Sequence, residues 1–292
     1  MIPSYATTQT NLTASARIGT SVAAHASADT KGAWTILVAS TDAICYGFWV
    51  MVRGAPVAST LINGRLDIAY GDETTGGNEA IVWPDLDVGA SPAQGQACFK
   101  LCWIPRVIAA NKSVSVRLAS NVGGQTVSVA VKLGQSPDYT FTDPTNVVAY
   151  GLATSGSGGT PVTPGNGAYG SWTQIKVGET TSEEHQYWAV GIDADVDAAF
   201  NSRDVLIELG YGATAPDAGG TAFGVTLRLV TESSLESMTG VFPPDLIKKV
   251  VPSGSKLWAR LASATTVDVL GVIMYGVTWA PAVGGGPIIV ED

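Results

Sequence analysis

The sequence predicts an all-β fold made of two tandem, internally duplicated antiparallel β-sandwich domains with extended terminal arms. Composition is the first reason. Charged residues are 14% of the 292 residues and Gly numbers 34, against a typical charged share of about 25%. That is the make-up of a turn-rich β protein rather than a helical one. Turn signals between apolar runs are the second reason. Ser40-Thr41-Asp42, Gly54-Ala55-Pro56, Asp72 through Asn78 and Val122-Gly123-Gly124 break the chain into short strands. The third is a repeat. Ile108–Ser120 (IAANKSVSVRLAS) lies over Val251–Ser263 (VPSGSKLWARLAS) without a gap.

The repeat has a mechanism. A residue that tolerates positive φ, Asn111 or Gly254, turns the chain into a strand that alternates apolar and polar. Val114, Val116 and Leu118 share one face; Ser113, Ser115 and Arg117 share the other, with Arg117 outward. In the second copy Leu257, Ala259 and Leu261 face inward. Both copies end in Arg-Leu-Ala-Ser, Arg117–Ser120 and Arg260–Ser263. Further echoes occur in the same order. Gly32-Ala33-Trp34-Thr35 returns as Gly170-Ser171-Trp172-Thr173, and Tyr46–Trp49 returns loosely as Gln186–Ala189. Leu66–Gly71 returns as Ile207–Gly212, Gly76-Gly77 as Gly219-Gly220, and Val127–Gly134 as Val269–Gly276. A unit this long is a duplicated domain, not a solenoid repeat.

In chain order, residues 1–16 are polar and read as an N-terminal arm. Repeat 1 spans 17–134. Its strands are expected near Trp34–Ala39, Tyr46–Arg53, Gly64–Tyr70, Glu79–Leu86, Ala97–Trp103, Ser113–Ala119 and Thr126–Leu133. Residues 135–167 read as a linker: Ser155–Gly159 is flexible in composition and Thr160–Gly165 stiffer and extended. Repeat 2 spans 168–280. Its strands are expected near Trp172–Val177, Gln186–Ile192, Val205–Tyr211, Thr221–Leu229, Lys256–Ala262 and Val267–Trp279. Ser234–Lys249 departs from the pattern. It carries a capping-box pairing, and Asp245–Lys248 reads as a helical turn that Pro243-Pro244 keeps short. Residues 281–292 form a C-terminal arm. Its apolar Pro287, Ile288, Ile289 and Val290 follow a glycine hinge and are the expected interaction segment, adding a strand to a sheet.

Charge and motifs narrow the function. The net charge is −9, and the only basic cluster is Lys248-Lys249, so neither nucleic acid nor an anionic membrane surface is an expected partner. No cofactor is expected. The N-terminus lacks the features of a signal peptide, and no apolar run is long enough for a membrane helix. Asp193, Asp195 and Asp197 are a weak calcium-loop candidate, since alternating carboxylates converge on oxygen-ligated cations. The glycine and closing glutamate of such a loop are missing, and a plain acidic loop is the competing reading. Three cysteines, Cys45, Cys98 and Cys102, make no disulfide framework. His185 beside Glu184 has the chemistry of a base, but no nucleophile elbow accompanies it. The chain therefore reads as a non-enzyme. The eight Trp have two readings. Core or interface burial suits Trp34 and Trp172, which hold equivalent positions. An exposed platform for sugar rings is the alternative.

The Pro252-Ser253-Gly254-Ser255 turn, the strand ending in Arg260–Ser263 and the degenerate copy at Ile108–Ser120 resemble structural proteins of tailed-bacteriophage virions. The first copy departs from that pattern, with Ala109 for the proline and Asn111 for the glycine. The resemblance implies jelly-roll-like domains and a repeated protomer of a capsid, tail or baseplate. It implies partners among its own copies and other virion proteins, and it carries over no catalytic residue. The expected location is the virion, after synthesis in the host cytoplasm. A glycan-binding module for cell-surface attachment is the alternative function.

Overall fold

The computed structural model describes residues 9–11, 19–54, 62–72, 80–90, 100–104, 106–135, 144–154, 157–175, 177–193, 203–231, 246–263 and 269–279. In the first half the strands are β1 (Thr20–Ala23), β2 (Thr35–Val38), β3 (Gly47–Gly54), β4 (Ile62–Gly71), β5 (Ala80–Ala90), β6 (Lys100–Ile104), β7 (Ser113–Ser120) and β8 (Thr126–Gly134). They form two four-stranded sheets, ordered β1-β8-β3-β6 and β2-β7-β4-β5. That order is a long hairpin, with 1 beside 8, 2 beside 7, 3 beside 6 and 4 beside 5, rolled into a sandwich: a jelly roll.

The second half repeats the winding. Its strands are β9 (Pro144–Tyr150), β10 (Thr160–Val162), β11 (Gly165–Asn166), β12 (Thr173–Gln174), β13 (His185–Asp193), β14 (Arg203–Gly212), β15 (Thr221–Thr231), β16 (Ile247–Val251), β17 (Lys256–Ser263) and β18 (Leu270–Trp279). One sheet runs β10-β18-β13-β16, with β9 also on β18. The other runs β11-β17-β14-β15, with β12 also on β17. The internal duplication is thus present in the topology.

Alternation builds each core. Val114, Val116 and Leu118 of β7 are fully buried in the first cluster, while Leu257, Ala259 and Leu261 of β17 fill the second. The alternation is what lets one face of each strand leave water.

The duplication extends to single hydrogen bonds. The Thr41 N–H donates to the Lys112 carbonyl, and the Asn111 N–H donates back to the Thr41 carbonyl. The Thr41 hydroxyl donates to the Ala109 carbonyl at 2.8 Å and accepts from the Lys112 N–H. In the second half the Thr181 N–H donates to the Ser255 carbonyl, and the Gly254 N–H donates to the Thr181 carbonyl. The Thr181 hydroxyl donates to the Pro252 carbonyl at 2.7 Å and accepts from the Ser255 N–H. One buried threonine therefore clamps the turn in each copy. The turns pivot on φ of 62° at Asn111 and 79° at Gly254, which asparagine and glycine tolerate best.

Three expectations need correction. The stretch 135–167, read as a linker, contains β9, β10 and β11. β9 and β10 pair along the same strand, β18, so composition misled where edge pairing orders the chain. The helical turn at Asp245–Lys248 is not formed at its described end: Ile247 and Lys248 belong to β16, which pairs with β13. Ile247 and Val251 are buried while Lys248 and Val250 are exposed, the alternation of a half-buried strand rather than of a helical turn. Within the 1–16 arm, Thr10 bridges Lys132. The Asn11 side chain accepts from the Val131 N–H and donates to the Val129 carbonyl. These residues extend the β1 edge instead of hanging free. The C-terminal arm, 281–292, lies outside the described residues.

Candidate functional site

Two features stand out on the outer faces of the sandwiches. One is shared by the halves and one joins them.

The shared feature is a stack of aromatic ring, guanidinium and carboxylate. Arg117 of β7 and Asp67 of β4 are cross-strand partners, so both side chains emerge on the outer face. Arg117 Nε donates to Asp67 Oδ2 at 2.7 Å, and the guanidinium lies 4.6 Å from the Trp34 ring centre. In the second half Arg260 of β17 opposes Glu208 of β14. Arg260 Nε donates to Glu208 Oε2 at 2.8 Å, and the guanidinium lies 4.7 Å from the Trp172 ring. A second ring, Tyr169, covers Arg260 at the same 4.7 Å. Each ring contributes on the order of 1 kcal/mol. The position that holds Tyr169 in the second half holds Lys31 in the first. Its ammonium meets Asp67 at 2.8 Å and Asp85 at 2.6 Å.

The joining feature starts from β5. This edge strand carries Asp85 and Asp87 on the outer face, both buried. Arg65 pairs with Asp87 at 2.6 Å, each side chain 1% exposed. Burial is possible because β18 and β13 of the second jelly roll close over the edge. The Tyr275 hydroxyl donates to the Asp85 carbonyl at 2.7 Å and accepts from the Asp87 N–H at 3.1 Å. It thereby satisfies two edge groups that β5 would otherwise offer to another strand. The Tyr275 ring lies 5.7 Å from Trp83. Val147, Ala189, Ile273 and Val277 of the second half belong to the same buried cluster as the core of the first. Outer-face residues of the second jelly roll therefore pack into the buried cluster of the first, while the second jelly roll keeps its own separate core.

Electrostatics follow from this packing. Burial alone would raise the Asp67 carboxyl. The Lys31 charge and the hydrogen bonds from Lys31, the Asp85 N–H and Arg117 together outweigh it, and the net shift is downward. Burial, reinforced by the charge of Asp87, pushes the Tyr275 phenol well above its usual value. Tyr275 stays protonated and keeps donating.

Of the residues singled out by sequence, His185 is fully buried. Its ring lies between Tyr150, 2.7 Å from Nε2, and Thr278, 2.9 Å from Nδ1, edge-on to Trp188. Burial lowers its pKa. The ring sits so close to β18 that a Cβ at position 276 would fall 2.5 Å from it, so Gly276 makes room for a core histidine. Asp193 closes β13; Asp195 and Asp197 lie outside the described residues, as do Pro287, Ile288, Ile289 and Val290. Among the described residues no cluster of three metal-ligating side chains occurs. Trp83 and Trp188 are buried, whereas Trp34, Trp49, Trp172 and Trp258 are half-buried. Cys45 is buried beneath β3, and burial first of all raises its thiol to about 11. Cys98 lies outside the described residues. No described helix is long and apolar enough to cross a membrane.

No family model and no curated protein matches this chain. Among solved structures it is similar to the Broad Bean Stain Virus particle determined by cryo-electron microscopy, at 9% identity and a TM-score of 0.31, over 89% of this chain and 96% of that one. It is also similar to PNGF-II, at 8% identity and a TM-score of 0.36, over 85% of this chain and 60% of that one. A naturally occurring empty particle of cowpea mosaic virus gives 9% identity and a TM-score of 0.32, over 91% and 96% of the two chains. Likenesses this distant decide nothing about function; the jelly-roll assignment rests on the strand order itself.

Proposed function

We propose that this chain is a non-enzymatic structural protein of a bacteriophage virion, a capsid-decoration or tail/baseplate component that assembles with copies of itself. The observation that carries the reading is the joint. The outer face of the second jelly roll packs into the buried cluster of the first beside a buried charge network, with Tyr275 fixed on the β5 edge. A module locked in this way transmits a fixed angle from one contact to the next, as a symmetric shell or ring requires. Low surface charge suits a chain that buries surface against neighbours. The test is the mass of the purified protein by light scattering over a range of concentrations, with negative-stain imaging of any assembly. A discrete trimer, pentamer or hexamer is expected. A strict monomer at every concentration counts against the reading.

The glycan-binding alternative has one observation in its favour, the half-exposed Tyr169 and Trp172 on an outer sheet face. Arg260 occupies one face of each ring, which leaves less aromatic surface for a sugar than a bare platform would. Binding on a glycan array that disappears in Trp172→Ala would favour this reading.

A further inference from the structure

The joint between the jelly rolls uses one surface from each: the β5 edge of the first and the outer face of the β18-β13 sheet of the second. Because the two halves are copies, each half also has the counterpart of the surface that the other contributes. The register defines these counterparts. Leu66 opposes Leu86 in the first half as Ile207 opposes Leu227 in the second. Hence β15 is the counterpart of β5, and Thr226 and Arg228 stand where Asp85 and Asp87 do. Likewise Trp49 opposes Lys132 as Ala189 opposes Tyr275, a register that moves the sequence match of Val127–Gly134 by one residue, onto Leu270–Val277. The outer face of β3 and β8, with Trp49, Met51 and Lys132, is thus the counterpart of the face that carries Tyr275.

Among the described residues no strand pairing or extended packing joins these two counterparts, and β15 ends its sheet with β14 as its one described strand neighbour. It is a long edge strand with a single charged side chain, Arg228. Leu206, beside Arg228, is 38% exposed, and Val225 is 38% exposed. Arg65, at the position of Leu206, is 1% exposed because the second jelly roll covers it. Trp49 and Met51 are half-buried and Lys132 is exposed.

We infer that β15 of one copy docks on the outer β3-β8 face of a second copy, repeating between chains the contact that joins the two jelly rolls within one. The occupant of each surface is therefore another copy of this chain. The contact is heterologous, head to tail, and generates a ring if the rotation closes and a filament if it does not. Its chemistry is weaker than that of the internal joint. Lys132 stands in for Tyr275; an ammonium donates to an edge carbonyl but accepts nothing from an edge N–H, and it meets Arg228 where Tyr275 meets Asp87, an unfavourable like-charge approach. Apolar contact from Trp49 and Met51 against Leu206 supplies the remainder. A reversible, concentration-dependent assembly follows. This inference rests on the chain being an assembling protein and adds which surfaces assemble.

A complementation experiment tests it. Leu206→Arg spoils the β14-β15 side, and Met51→Arg spoils the β3-β8 side. Both side chains are at least partly exposed, so a long charged side chain reaches water without unfolding the strand. Circular dichroism and a cooperative melt check that each variant folds. Light scattering is expected to show wild-type assembly, two monomeric single variants, and a discrete dimer in their equimolar mixture, since one good surface remains on each partner. Hydrogen exchange of residues 221–231 is expected to slow as wild-type concentration rises. If either folded variant assembles like the wild type, or the mixture stays monomeric while the wild type assembles, the docking is wrong and the assembly reading survives. If the wild type is monomeric throughout and exchange at 221–231 ignores concentration, both fail.

Discussion

The outer faces of the β4-β5 and β14-β15 pairs began as the same surface and now differ in kind. Both keep the tryptophan, arginine and carboxylate stack, Trp34–Arg117–Asp67 and Trp172–Arg260–Glu208. Around it the first half places Lys31, Arg65, Asp85 and Asp87, and the second places Tyr169, Leu206, Thr226 and Arg228. Arg65, Asp85 and Asp87 are buried whereas Leu206, Thr226 and Arg228 are exposed, the reverse of what burial alone would select. A covered edge needs groups that pair in fixed directions, because each buried polar atom must find a partner. The uncovered edge is under no such constraint and keeps apolar side chains that suit contact with another molecule. The comparison teaches that the stack is the inherited part of the face, and that its surroundings diverged with what each face came to meet.

The largest effect expected of any single change comes at the covered face. Arg65→Ala leaves Asp87 buried without its guanidinium partner and costs about 3–5 kcal/mol. Leu206→Ala, at the equivalent position, costs roughly 0.5 kcal/mol because the site is a surface one. Urea denaturation of both variants measures this. Equal losses at the two sites would mean that the joint does not cover the β5 edge in solution.

A smaller effect sharpens the comparison where the halves agree. Thr41→Val and Thr181→Val each keep the shape of a buried side chain while removing the hydroxyl that clamps a turn. Each leaves a part-buried carbonyl and N–H with a lost partner, at a cost of roughly 1–2 kcal/mol. Because the clamp is duplicated bond for bond, the two losses are expected to match within about 1 kcal/mol. Thermal melts with matched baselines decide it, and a large loss in one half alone would show that the two turns have taken different roles.

Much of this was legible in the sequence, for identifiable reasons. Strands such as β7, β8 and β17 alternate with a period of two and end at turn residues, so local pattern determines them. The pairing of Ile108–Ser120 with Val251–Ser263 exposed the duplication, and Trp34 matched Trp172 in advance. What was missed depends on partners distant in the chain. β9, β10 and β11 are rich in Pro, Gly and Thr and are strands because β18 and β17 lie beside them. Ile247–Val251 borders a stretch with helix-start signals, yet Trp188 and its neighbours on β13 draw it into a sheet. The joint was missed altogether, although one signal for it was present. Arg65, Asp67, Asp85 and Asp87 alternate through otherwise apolar strands, and charges at that spacing announce an outer face that is paired or covered. Nothing in the sequence names Tyr275 as its cover, because that contact joins residues 190 positions apart.

The smallest expected effect concerns the start of the strand that follows each clamp. Cys45 bridges Ile108, and His185 bridges Val251, so a buried thiol in one half corresponds to a buried imidazole in the other. The thiol is neutral at any physiological pH, with its pKa raised to about 11. The imidazole is also neutral when folded, its pKa lowered mainly by burial, but the unfolded chain protonates it near pH 6.5. A group whose folded pKa is depressed supports the fold above the unfolded value and withdraws that support as pH falls. Acidification from about pH 6.5 is therefore expected to destabilise the second jelly roll first, with a slope of at most about 1.4 kcal/mol per pH unit from this one proton. Hydrogen exchange at pH 7 and pH 5 measures it, with intrinsic rates corrected. Protection of β13 and β18 is expected to fall relative to β3 and β8, and His185→Gln to remove most of that difference. Parallel loss in both halves would place the acid response elsewhere, with the Asp67 carboxyl, which binds its proton only at lower pH, the next group to examine.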